Sequence, residues 1–365
     1  MQKLTTELKK FFSVPKNLVF MVLGPLFFTL FFGYVYSNDY LNDIPIAVYD
    51  MDHTALSRSI IDEFGKHERY VVTESVNDME SMEKLIETKQ VYMGLVIPSH
   101  FQSDMKSKKG TTAALVVDGT NIAIANNAVA SASEILNTIN AGVNIQFLEG
   151  KGVQESTAEN YAKLIQFNTN ILWDSKLTYK YYVMPGMVLV LVQQLFLSIF
   201  VVNYIKDQQN TIIKAGIHAL VGTGAYLLCL LVLEHIVGVQ IRGSILVAAG
   251  MAGFYLLCLM GTAMTIGALT RNDLRATQFC MMMSLPSFLT AGYVWPIFKM
   301  PAVLTVIIKG IWPLIYMVSP LRDYLIKGQF PSSFGSNIVQ MMIFGVLWLV
   351  IGRITSVKRL IPKED

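Results

Sequence analysis

Apolar and polar positions divide the chain into distinct regions. Residues 18–36, 181–205, 215–233, 244–270 and 276–298 hold no Asp, Glu, Lys or Arg, and 336–352 is a shorter sixth stretch. A helix of about 20 apolar residues crosses a bilayer, because the hydrocarbon core is roughly 30 Å thick and each residue rises about 1.5 Å. Six transmembrane helices are therefore predicted. The first stretch exceeds the roughly 7–15 apolar residues of a cleaved signal peptide and has no small-residue cleavage site after it. A further apolar stretch, 300–318, is interrupted by Pro301 and Pro313 and carries Lys309. A lysine at mid-membrane costs about 2.5–3.5 kcal/mol, so this stretch is expected to be a re-entrant pair of short helices rather than a seventh span. Non-helical backbone at that depth must be buried in protein or line a cavity.

Between the first and second spans the pattern changes. Residues 44–49, 70–73, 91–97 and 113–117 read as strands. Residues 56–66 and 78–88 read as helices, the first with Thr54 as its cap. Residues 123–172 read as long helices leading back to span two as a stalk. The expected fold class is an α-helical membrane protein with six transmembrane helices, a re-entrant helix pair and an inserted external α/β domain. The expected divisions are 1–37, 38–180 and 181–365.

Composition supports the membrane reading. The chain of 365 residues is 53% hydrophobic and 15% charged, against about 25% charged in soluble domains. This excludes disorder, an ordinary soluble enzyme and nucleic-acid binding as the main activity. Residues 38–181 hold 12 basic and 19 acidic side chains, while the remainder holds 17 basic and 7 acidic. Twelve Lys/Arg fall in the termini and in the loops after spans two and four, against five in the opposite short loops. By the positive-inside rule both termini are expected in the cytoplasm and residues 38–180 outside. All three cysteines lie in apolar runs, so no disulfide framework is expected in the polar domain.

Candidate chemistry is sparse. Asp50-x-Asp52 after a hydrophobic strand matches the opening motif of haloacid-dehalogenase-type phosphatases, but no later Ser/Thr, Lys and acidic pair completes it. Carboxylates at a strand end serve turns and caps equally well. The five histidines lack metal-ligand spacing; no metal site is expected. Charged residues deep in the spans, which ion-coupled transporters use, are missing. There is no Gly-x-x-x-x-Gly-Lys-Ser/Thr sequence to bind ATP.

Several pieces, in order, resemble the ABC-2-type membrane permeases, the branch with a large external domain after the first span. These are Glu7-Leu8-Lys9-Lys10 with Pro15 and Gly24-Pro25; Ile46-Ala47-Val48-Tyr49-Asp50-Met51-Asp52 with Ser57-Arg58; and Gly94-Leu95-Val96-Ile97-Pro98 with Phe101. Asp118-Gly119-Thr120-Asn121 and Pro185-Gly186 follow. Last comes Ala291-Gly292 with Pro296, Met300-Pro301, Pro313, Pro320-Leu321-Arg322 and Gly328. One departure stands out. Where the family carries Glu-Arg-Glu-x-Gly-Thr in a cytoplasmic helix that couples to the ATPase, this chain reads Lys206-Asp207-Gln208-Gln209-Asn210-Thr211. Either the coupling helix has drifted and still works, or the chain pairs with a second, more typical permease.

The resemblance implies a permease subunit of an ATP-binding cassette exporter in a bacterial cytoplasmic (inner) membrane. It is expected to act as a dimer with a second copy or a paralogue and to need a separate ABC ATPase subunit that holds ATP and Mg2+. No cofactor is expected in this chain; membrane lipids and a periplasmic adaptor are candidate partners. Residues 206–211 are the expected coupling contact. Gly292, Pro296, Met300, Pro301, Pro313, Pro320 and Arg322 mark the expected outer gate. Aromatic and Met-rich spans suit an amphipathic, drug-like or lipidic cargo. The rival readings are a membrane-anchored receptor or phage-attachment protein acting through its external domain, and a sensor or membrane enzyme.

Overall fold

The computed structural model describes residues 2–37, 42–107, 111–120, 122–149, 173 and 178–360. The chain divides into two compact units, Met1–Asp39 with Ile171–Asp365, and Tyr40–Asn170.

The first unit is helical. In chain order before the insertion come α1 (Gln2–Phe12) and α2 (Pro15–Val35). Pro15 starts α2, where its missing N–H is no loss. After the insertion come α7 (Tyr179–Lys206), α8 (Thr211–His235), α9 (Ile245–Cys258), α10 (Met260–Thr270) and α11 (Asp273–Thr290). The chain ends with α12 (Ala302–Ile311), α13 (Leu314–Lys327) and α14 (Phe334–Leu360). α7 is the most buried of the candidate spans, and its Phe196, Leu197 and Phe200 are sealed from solvent. α10 and α14 cross most closely. A Cβ on Gly261 would lie 2.3 Å from the backbone of Trp348 and Leu349, so only glycine lets these helices approach.

Among the described residues five helices are long and apolar enough to cross a membrane, namely α2, α7, α8, the run Ile245–Thr270 and α14, or six if the bent pair α12 and α13 is one span. Five to six candidates stand beside the six expected spans, and what is corrected is the extent of the fifth stretch. Residues 276–298 do not form one helix. α11 covers Asp273–Thr290, about 27 Å, and Asp273, Arg275 and several hydroxyl side chains dilute its apolarity. Beyond it the chain turns at Ala291–Gly292, because Gly292 adopts φ +77°. The proline-interrupted stretch is two helices, α12 and α13, bent by 91°. Pro301 and Pro313 stand at their N-caps. The second helix runs to Lys327, nine residues beyond the expected boundary at 318, and Gly328 closes it in the left-handed region at φ +79°.

The second unit holds a four-stranded sheet of order β2-β1-β3-β4, with β1 (Ile44–Asp50), β2 (Tyr70–Ser75), β3 (Met93–Ile97) and β4 (Ala114–Val117). β1 pairs parallel to β2 and β3, and β4 is antiparallel to β3. Strand alternation sends Ile44, Ile46 and Val48 to one face, where Ile60 and Phe64 of α3 (Ala55–Lys66) and Ala128 and Ala132 of α6 (Ile122–Glu149) meet them. Ala47 points the other way, toward Met82 of α4 (Met79–Glu87). A short helix, α5 (Phe101–Ser107), follows β3 and has no counterpart in the sequence reading. The expected stalk is described only as α6; residues 150–172 lie outside the described residues.

Candidate functional site

Loop 206–211 links α7 to α8, and its own side chains fold it. The Asp207 carboxylate accepts the Gln209 N–H at 2.9 Å, and the Thr211 hydroxyl donates to the Gln208 carbonyl at 2.6 Å. Asn210 caps α8 in the left-handed region, φ +52°, which asparagine tolerates. Its amide then reaches across to α1 and donates to Glu7 Oε1 at 3.0 Å.

Glu7 is 2% exposed. Lys10 Nζ lies 3.3 Å from Glu7 and 3.4 Å from Asp207, and Lys214 Nζ lies 2.7 Å from Asp207 and 4.0 Å from Glu7. Two acids and two bases thus form one closed network that ties α1 to the loop. Next to it in the loop, Lys206 pairs separately with Asp273 of α11, at 3.2 Å. Behind it, His218 contacts the Lys214 carbonyl through Nδ1 (2.7 Å) and the Asn203 amide through Nε2 (2.9 Å), with Phe11 and Phe200 edge-on to its ring. A cleft of about 190 Å³ opens here, lined by Glu7, Phe11, Asn203, Lys206, Lys214 and His218 among others.

The electrostatics follow from these contacts. The hydrogen bond from Lys214 is the main cause that holds the Asp207 carboxyl down at about 2, from 3.8. Burial alone would push Glu7 up, but the Asn210 amide and the two lysines outweigh it and leave its carboxyl below the ordinary value. Groups with depressed values stabilise the structure above their unfolded value and lose that contribution as pH falls through the folded one. The expected outcome is that a fluorophore pair at positions 6 and 209 keeps its separation from pH 8 to 5 and loses it between about pH 4 and 2. A change already at pH 6 would contradict the assignment.

The network leaves an outward face. Lys206 and Gln209 are exposed, Gln208 is half-buried, and Ile212, just past the loop, is 78% exposed. Of the six expected residues, Asp207 and Asn210 therefore grip α1, and Gln208 and Thr211 close the loop on itself. Sequence reasoning missed Glu7, Lys10, Lys214 and His218 as partners of this loop, although it placed Lys214 and His218 near the start of span three, and it missed Ile212 altogether. The clue available was the Glu7-x-x-Lys10 pair on an amphipathic helix, which does not name its partner.

The second group of expected residues separates. Gly292 turns the chain, and Ser319 Oγ donates to its carbonyl at 3.1 Å. The next residue, Tyr293, is buried, and its hydroxyl accepts the Gly186 N–H at 2.9 Å. The Tyr182 hydroxyl donates to the carbonyls of Tyr293 and Val294. The Arg322 guanidinium stands 4.7 Å from the Tyr293 ring centre and 5.5 Å from that of Tyr182. Gly292 and Arg322 thus meet around a tyrosine that the sequence reading did not single out. Pro296 leads into the 3-10 turn Ile297–Lys299, and Met300 ends it before Pro301. Pro313 makes the bend, and Pro320 is buried within α13. Replacing Arg322 by Ala removes contacts with both rings, each worth about 0.5–2 kcal/mol. A lower unfolding temperature in detergent is expected, with Arg322→Lys intermediate; no shift would mean the rings do not hold it.

The Asp50-x-Asp52 pair is engaged by nearby backbone N–H and hydroxyl donors. Asp50 accepts the N–H groups of Asp52 and His53 and the Ser57 hydroxyl, at 2.9, 3.1 and 2.7 Å. Asp52 accepts the Thr54 hydroxyl at 2.6 Å and the Gln102 N–H at 3.0 Å. Thr54 and Ser57 complete a capping box on α3. Burial raises the Asp52 carboxyl, but the Thr54 and backbone donors bring it below the ordinary value. Through these contacts the pair builds a strand-to-helix corner. Among the described residues no three His, Cys, Asp or Glu side chains come together to hold a metal.

The sequence pattern of the ABC-2 family transporter proteins matches residues 16–354, nearly the whole chain. The chain belongs to the ABC-2 transporter family. The chain is 34% identical over 134 residues to the probable multidrug ABC transporter permease YbhS of Escherichia coli (strain K12), covering 35% of each chain. It is 32% identical over 104 residues to the linearmycin resistance permease protein LnrN of Bacillus subtilis (strain 168), covering 28% of this chain and 26% of the relative. The alignments therefore span about a third or less of the relatives' length. The ABC-2 match takes in loop 206–211 and the 292–322 segment but starts after α1, so Glu7 and Lys10 lie outside it.

Proposed function

We propose that this chain is the membrane-spanning permease subunit of an ATP-binding cassette exporter. It moves an amphipathic, drug-like or lipidic substrate outward, and a separate ATPase subunit binds ATP and Mg2+. The ABC-2 match over residues 16–354 is the observation that carries the reading. Two relatives named as a multidrug and a linearmycin resistance permease support the substrate class. In this reading the exposed face of Lys206, Gln209 and Ile212 meets the ATPase, and the Glu7 network passes its movement to α1, α7 and α8. A second copy or a paralogue completes the pathway, and a periplasmic adaptor is a further candidate partner. The membrane is the bacterial cytoplasmic membrane.

The test is a co-purified complex with its ATPase. Replacing residues 207–210 by alanine is expected to abolish substrate-stimulated ATP hydrolysis while the subunits still associate. Unchanged stimulation would sink the coupling assignment.

The same reading places both termini in the cytoplasm and residues 38–180 outside, and makes the 292–322 segment an outer gate entered from that side. Labelling a cysteine at position 110 in intact cells checks the topology; labelling only after lysis contradicts it. Cysteines at Ile297 or Leu304, cross-linked between two subunits, check the gate. Transport is expected to stop with the cross-link and return on reduction, and full transport with the cross-link intact would leave the segment a static plug.

A further inference from the structure

In the second unit α3 and α6 both pack on the core of one sheet face. A cleft of about 300 Å³ opens between them. Part of its lining is apolar: Ile135 is buried, and Ile139 is half-buried against the same core. Glu63 lines it from α3 and Glu134 from α6. Both are exposed, and neither side chain makes an ion pair or hydrogen bond among the described residues. Lys66, the basic side chain of the lining, is hydrogen-bonded to Asp62, and Glu63 acts on it only through space. Three acids and one base thus leave two negative charges around the cleft. The other polar groups add direction. The Thr138 hydroxyl donates to the Glu134 carbonyl at 3.0 Å, so it has only lone pairs left to offer. His67 Nδ1 accepts the Arg69 N–H at 3.3 Å, which leaves Nε2–H as a donor.

We propose that this cleft binds a primary ammonium group carried on a small apolar body. Two carboxylates and the Thr138 oxygen are acceptors, and an ammonium brings three N–H donors to them. The apolar body covers Ile135 and Ile139, and His67 Nε2–H meets an oxygen on the ligand. Ligand sites typically run from about 300 to 1,000 Å³, so this one takes a short chain or one or two rings. An anion is repelled by the two free acids. A metal ion needs several ligating side chains together, and among the described residues no such group forms. Charge complementarity and the isoleucines therefore commit the cleft to an organic cation. The excess of acids over residues 38–181 raises the local concentration of cations around it. The inference concerns binding by the second unit and does not depend on the export reading.

The experiment uses the full-length chain in detergent, with dansylcadaverine, a primary amine on an aromatic body, as the probe. Bound probe is counted by equilibrium dialysis for the parent, for Glu63→Gln and Glu134→Gln, and for the double variant. Probe held by detergent is the same in all four and cancels. Both glutamates are exposed, so the variants are expected to unfold at the parent's temperature. Each single variant is expected to raise the half-saturating concentration by up to about fivefold, the range of partly exposed ion pairs, and the double variant by about tenfold or more. Two analogues test the chemistry on the unaltered chain. The trimethylammonium form keeps the charge without N–H donors and is expected to bind about two- to tenfold more weakly. The neutral N-acetyl form is expected to show no binding that distinguishes parent from double variant. Equal binding of the amine to parent and double variant overturns the proposal. An N-acetyl form that binds as tightly as the amine overturns the ammonium assignment, and a trimethylammonium form that does so overturns recognition through N–H. Displacement of the probe by an equal concentration of Ca2+ assigns the cleft to a metal ion and also overturns it.

Discussion

A Gly261→Leu variant is expected to yield no folded, monodisperse protein in detergent. The reason is geometric. Gly261 faces the backbone of Trp348 and Leu349, with room for no Cβ, and a Cβ on Gly352 of α14 would lie 2.9 Å from the Gly261 carbonyl oxygen. Flexible side chains can move aside, but two packed helix backbones cannot. Overpacking of a well-filled site costs about 1–3 kcal/mol and more when backbone must shift. Here the most intimate helix pair of the membrane unit would have to separate. The control lies in the preceding helix: a Cβ on Gly250 meets nothing within 4 Å, so Gly250→Leu is expected to leave yield and unfolding temperature within a few degrees. If Gly261→Leu elutes and unfolds like the parent, the α10–α14 contact is not the one described.

The second large effect is expected at Glu7. Removing its carboxylate leaves the Asn210 amide without its acceptor and Lys10 and Lys214 with one acid between them. A lost partner for a buried charged group costs about 1–3 kcal/mol, with the Lys10 side discounted because that side chain is 56% exposed. Glu7→Ala is expected to lower substrate-stimulated ATP hydrolysis by about tenfold, the equivalent of 1.4 kcal/mol. Glu7→Gln keeps an acceptor for Asn210 but loses the charge, and an intermediate value is expected. Hydrolysis in reconstituted complexes, measured beside the unfolding temperature of the same preparations, separates the two roles. A fall in stability with coupling intact would make Glu7 a packing residue only.

Local features were legible without the structure because local physics makes them. Charge-free runs of about 20 residues mark α2, α7, α8 and the Ile245–Thr270 run. Strict breaks at Pro301 and Pro313 mark the bent pair, since each ring removes a donor and crowds the preceding turn. Thr54, followed by Ser57, was readable as the cap of α3, and Asp50 and Asp52 as corner residues. The fifth stretch failed for the same reason that the others succeeded: charge-free composition reports that a segment can enter a membrane, not where its helix stops. Gly292 ends it, and a glycine inside an apolar run does not reveal its φ.

The sequence by itself therefore determined the membrane class, the division into apolar helices and a polar α/β insertion, and the family. Each depends on periodicity, composition or ordered short motifs within a few residues of one another. Only the tertiary structure decided the sites. Glu7 and Asn210 are 203 positions apart, and Tyr293 and Gly186 are 107 apart. An acid on an amphipathic helix reads as one more solvated charge until packing strips its water and leaves a loop amide and two lysines as its partners. Desolvation gives Glu7 its importance, and desolvation is a property of the folded neighbours.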